Sequence, residues 1–85
     1  MAERTVSVES EVGLHARPAA AFVQTAAKAS FDVTIAKAGG APVSAKSILS
    51  VLALDVRQGE SIVISAEGEG AEELLDELAQ IASAS

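Results

Sequence analysis

The chain has 85 residues, 49% of them hydrophobic and 21% charged, a balance expected of one globular domain spanning 1–85. Two Phe, no Tyr, no Trp and no Cys exclude a reader that stacks bases on several aromatic rings, a disulfide framework and a thiolate site. A single His excludes a multi-histidine metal centre within one chain, and a net charge of −6 disfavours nucleic acid as a partner. No metal or bound cofactor is expected. The opening stretch MAERTVSVESEV carries three Glu and no apolar run, so no secretory signal is expected. No apolar stretch reaches the roughly 20 residues of a membrane span. The expected location is cytoplasmic, without membrane insertion.

Residues 4–9 alternate, with Val6 and Val8 on one face and Thr5, Ser7 and Glu9 on the other, which predicts a strand. Residues 16–29 predict a helix with Ala19, Phe22, Val23, Ala26 and Ala27 at core spacing. A second strand is expected over 31–37, with Phe31, Val33 and Ile35 inward and Asp32 and Thr34 outward. Gly39-Gly40 signals a turn, and residues 41–43 pair back as a short strand that Pro42 assigns to a sheet edge. Ser47 is a candidate N-cap for a two-turn helix over 47–54, and 55–60 reads as a loop. Residues 61–66 form a strand burying Ile62 and Ile64, with Val63 a further covered position. Gly68 and Gly70 break the chain before a helix over 71–83, whose core stripe is Leu74, Leu75, Leu78, Ile81 and Ala82.

Charge is unevenly spread. Residues 1–66 hold all six bases and six acids, and the excess lies in Glu67, Glu69, Glu72, Glu73, Asp76 and Glu77. Carboxylates at the start of a helix complement its dipole, which accounts for this run structurally. The element order strand, helix, strand, strand, helix, strand, helix suggests a split βαβ arrangement. The last strand then lies between the first and second, antiparallel to both, with the helices on one face. Periodicity alone leaves other α+β strand orders open.

The chemistry concentrates in Gly13-Leu14-His15-Ala16-Arg17-Pro18-Ala19. His15 stands where the first helix begins. Pro18 is harmless there, because the first N–H groups of a helix have no internal partner. Those orphan amides and the positive dipole end suit an anion, and the fork of Arg17 suits phosphate oxygens. A neutral imidazole in that setting is a nucleophile for phosphorus, and the positive field disfavours the imidazolium form. The same local pattern also fits a cap or an exposed polar His. Ser10 and the other serines lack a second His as base, so hydrolytic catalysis is not supported.

GLHARPAAAFVQTAA closely resembles the active-site segment of the HPr family, the histidine-containing phosphocarriers of the sugar phosphotransferase system. SAKSILSVLALDVRQGESI and VISAEGEGAEELLDEL resemble two further family segments at the expected distances, so the resemblance covers essentially the whole chain. It implies an HPr-like α+β fold, an open-faced β-sandwich in which a four-stranded antiparallel sheet is covered on one face by three helices (βαββαβα). It implies that His15 is phosphorylated on Nδ1 by enzyme I, itself charged from phosphoenolpyruvate, and passes the phosphoryl group to IIA domains of sugar permeases. Arg17 matches the arginine that contacts the phosphoryl group, with the backbone N–H groups of Ala16 and Arg17 nearby. The chain is then a relay and not an enzyme, and a monomer is the expected state.

Ser47 matches the serine that HPr kinase/phosphorylase modifies in some relatives; an ordinary N-cap serves the helix equally well. The helix over 47–54 is apolar nearly all round. Val51 and Leu54 are expected to face the sheet, leaving Ile48, Leu49 and Leu52 partly exposed. Small proteins expose some Leu for no functional reason, but in the family these positions dock enzyme I and IIA partners. Gln24 and Lys28 belong to the same expected docking surface, with Lys28 and Lys46 supplying its positive rim. Gln24 replaces a residue that is basic in some relatives, Ser50 stands where several have Gly, and Gly39-Gly40 suggests a longer hairpin. These departures bear on partner preference. The rival functions are a paralogous carrier of a nitrogen-regulatory or dihydroxyacetone phosphorelay, and a regulator that docks without transferring phosphate. Retention of His15 with Arg17 argues for transfer.

Overall fold

The computed structural model describes residues 2–9 and 16–84, with the side chains of Ala16 and Ala84 left out. Its elements run β1 (Ala2–Ser7), α1 (Ala16–Ala26), β2 (Val33–Lys37), β3 (Val43–Ser44), α2 (Ile48–Ala53), β4 (Ser61–Ala66) and α3 (Ala71–Ala84). The four strands form one sheet in the order β1-β4-β2-β3, with every pair antiparallel. The last strand therefore inserts between the first and second, as the split arrangement requires, and the three helices leave the opposite sheet face open.

Strand alternation builds the core. Val6 pairs with Ile62, and Ile64 stands opposite Arg4 on one side and Ile35 on the other. Period 2 sends Val6, Ile62, Ile64, Val33 and Ile35 to the helix-covered face, where each is buried. Phe22 of α1 and Leu75 and Leu78 of α3 close over them, with no exposed surface. The same alternation puts Arg4 on the covered face, so its guanidinium reaches α3, donating to Glu72 at 2.5 Å and Asp76 at 3.1 Å. Part of the acidic run thus serves an ion pair between sheet and helix as well as the helix dipole.

Several details differ from the sequence expectation. The first strand begins at Ala2 and ends at Ser7, and α1 stops at Ala26 rather than running to 29. Ala27 is consequently exposed, whereas Thr25, unremarkable in sequence, is buried. Beyond Ala26 the chain turns, with the Lys28 N–H donating to Thr25 O and the Ala29 N–H to Ala26 O. Val56 lies in the expected loop yet is buried in the core. Asp55, at φ 52, turns the chain back after α2 and so carries Val56 inward. Phe31 precedes β2 and packs half-buried against Gly68, whose φ is 152. A Cβ at Gly68 would lie 2.6 Å from the Phe31 ring, so that position requires glycine twice over.

Candidate functional site

His15 and Gly13-Leu14 lie outside the described residues; the described part of the site begins at the first turn of α1. Ala16 and Arg17 open this helix, and Pro18 is its third residue, where its missing N–H costs no helical bond. No acidic residue occupies the first turn, so the positive end of the dipole has no carboxylate within its own helix to offset it. Arg17 is exposed, and its side chain makes no ion pair or hydrogen bond among the described residues. Its guanidinium is thus available to an anion arriving at that terminus.

Helical spacing explains what accompanies Arg17. Ala19, Phe22 and Ala26 face the core with no exposed surface. Positions 17, 21, 24 and 28 fall on the opposite side, and all four are exposed. Arg17, Gln24 and Lys28 therefore share one solvent-facing stripe that continues into the turn after the helix.

α2 supplies the apolar half of the surface. Ser47 is its N-cap in an extended conformation, with its hydroxyl accepting from the Ser50 N–H at 3.3 Å. Val51 is buried, and Ile48 and Leu54 pack half-buried against the core. Leu49 is 78% exposed and Leu52 37%, and they are the exposed large hydrophobic residues among those described. Both sit on this six-residue helix. Lys46 departs from the expected positive rim. It is half-buried, and its ammonium donates to the carbonyl of Ala29 at 2.9 Å, in the turn after α1.

On the far side of the α2 connection, residues 55–60 form a turn braced by its own charges. The Arg57 N–H donates to Glu60 Oε1 at 2.7 Å, and Lys37 lies 3.3 Å from the same oxygen. Together they hold the Glu60 carboxyl below its usual range, the backbone bond being the larger cause. The Arg57 side chain bonds Asp55 and lowers that carboxyl likewise. This turn reaches the chain leaving β1. The Val8 N–H donates to Glu60 O at 3.0 Å, the Gly59 N–H to Val8 O at 2.8 Å, and Gln58 Nε2 to Glu9 O at 3.3 Å. Nothing in the local sequence announced that bracing. Among the described residues no group of three or more His, Asp or Glu could hold a metal ion.

The described residues combine a four-stranded antiparallel sheet under three helices, a first turn of α1 without an acidic residue and an exposed leucine pair on α2. The family model for the PTS HPr component phosphorylation site matches residues 2–84. The phosphocarrier protein HPr of Streptomyces coelicolor is 52% identical over 81 residues, covering 95% of this chain and 87% of that protein. The crystal structure of HPr from Bacillus anthracis superposes with a TM-score of 0.86 at 42% identity, covering 95% of each chain. That of Crh, a catabolite-repression protein of Bacillus subtilis described as a domain-swapped dimer, gives 0.73 at 40% identity, covering 96% of this chain and 93% of that one. The chain belongs to the HPr family of phosphocarriers of the phosphotransferase system.

Proposed function

We propose that the chain accepts a phosphoryl group on His15 from phosphorylated enzyme I and passes it to IIA domains of sugar permeases. In the forward step the imidazole Nδ1 forms a bond to phosphorus as the bond to the donor breaks, and the acceptor's nucleophile reverses this at the next stage. The backbone N–H groups of Ala16 and Arg17 and the Arg17 guanidinium hold the phosphoryl oxygens. Leu49 and Leu52, with Ile48 at their edge, give the apolar docking contact, and Gln24 and Lys28 give its polar margin. The observation that carries this reading is the match to the family's phosphorylation-site model over 2–84, coupled to the exposed Arg17 at a helix start with no acidic residue in its first turn.

The chain itself performs no turnover; it is a covalent intermediate between two partners. Its place is the cytoplasm, and no described helix is long and apolar enough to cross a membrane. Ser47 is a candidate site for HPr kinase/phosphorylase, beside its role as the N-cap of α2. A phosphate there would replace a neutral cap with a dianion two residues from Leu49 and so oppose docking by partners that bind that leucine. The likeness to Crh favours a second reading, a regulator that binds a protein partner without relaying phosphate. It also makes the oligomeric state a real alternative to the proposed monomer.

Reconstitution with phosphoenolpyruvate, enzyme I and a IIA domain tests the relay. Phosphoryl groups reaching the IIA domain only when the chain is present support it. A folded chain that stays unlabelled beside an active enzyme I would point to a paralogous donor or to the docking-only reading.

A further inference from the structure

α1 ends at Ala26 with no basic residue in its last turn, and the turn that follows it runs through Lys28 and Ala29. A cation from elsewhere in the chain meets that turn. Lys46, seventeen positions beyond Ala29, sends its ammonium to the Ala29 carbonyl at 2.9 Å in a half-buried setting. Its own backbone is fixed at the same time, the Lys46 N–H donating to Ser44 Oγ at 3.2 Å. The next residue, Ser47, caps α2. One side chain thus fastens the turn after α1 to the residue before the cap of α2. The two helices it joins present the basic stripe and the leucine pair.

We infer that Lys46 is a positioning residue for partner docking, a strut that fixes Lys28 and the end of α1 relative to Leu49 and Leu52, rather than a rim charge that meets the partner. The inference rests on the carrier reading. A charge-assisted bond to the backbone carbonyl holds the turn through Lys28 and Ala29, whose own N–H bonds to Thr25 and Ala26 are 3.2 and 3.1 Å. Lys28 is the internal control. Its side chain is exposed and makes no ion pair or hydrogen bond among the described residues.

The test compares Lys46→Met with Lys28→Met in two measurements. Amide exchange at Ala29 is expected to quicken about fivefold in Lys46→Met, the effect of losing roughly one hydrogen bond's net contribution, and to stay at the parental rate in Lys28→Met. Enzyme I kinetics are expected to show a KM for Lys46→Met raised severalfold at low and high salt alike, with kcat unchanged. For Lys28→Met the KM increase fades as salt screens the charge. Parental exchange at Ala29 in Lys46→Met, or a KM increase that fades with salt as in Lys28→Met, would overturn the strut. A parent chain that enzyme I does not phosphorylate overturns the carrier reading instead, and the exchange rate at Ala29 still decides whether Lys46 braces the turn.

Discussion

On the β1–α3 side of the molecule, charges find partners within the fold: Arg4 is held by Glu72 and Asp76, and its guanidinium lies on the helix-covered face of the sheet. On the α1–α2 side, Arg17 and Lys28 stand exposed and their side chains find no such partner among the described residues, while Leu49 and Leu52 on α2 leave apolar surface in water. The two sides are built from the same elements under the same packing rules. They differ in whether the chain satisfies its own groups. A cation without a side-chain partner among the described residues and a leucine 78% exposed are what the proposed docking surface would use.

Substitutions can sharpen or break that contrast. Arg17→Gly is expected to slow phosphoryl acceptance about ten- to a hundredfold, the range for losing a charge-assisted contact to phosphate, with little change in melting temperature. Rapid-quench transfer assays beside thermal unfolding would check both halves. Parental rates would remove Arg17 from the phosphoryl contact. Gly68→Ala acts on the opposite side and should cost about 2 kcal/mol, because its Cβ meets the Phe31 ring and φ favours glycine. Denaturant titration measures that loss, and the folded variant should retain the parent's KM for enzyme I.

Leu49→Ser should raise KM for enzyme I about tenfold while leaving stability near the parent's, since the side chain is already largely in water. An unchanged KM would show that α2 does not dock that partner. The smallest expected effect is that of acid on the 55–60 turn. Asp55 and Glu60 have carboxyls lowered in the folded state, so their contribution is present above the ordinary carboxylate range and lost as pH falls through the folded values. Amide exchange at Gly59 and Glu60 should therefore quicken below about pH 4. Exchange independent of pH after correction for intrinsic rates would contradict that bracing.

Much of this contrast was legible in the sequence. Period-2 alternation placed Val6, Val8, Val33, Ile35, Ile62 and Ile64 correctly, and Ser47 followed by ILSVLAL announced both a cap and a helix with too much apolar surface to bury. Other features were hidden because they depend on residues distant in sequence. The turn after α1 is met by Lys46 at Ala29, and Arg4 pairs with residues about seventy positions on. Val56 is buried because Asp55 adopts a left-handed turn, a conformation that neither residue's type announces. The core spacing of Ala19, Phe22 and Ala26 already set Arg17, Gln24 and Lys28 apart from the core, and the burial of the first three agrees with it.

The most direct test of the central claim is the intact mass of the chain after incubation with phosphoenolpyruvate and catalytic enzyme I, followed by mild acid treatment and site mapping. The account predicts one added phosphoryl group, removed by acid, mapped to His15 and absent from His15→Ala. A parent chain that gains no mass, or an acid-stable group mapped to a serine, would contradict it.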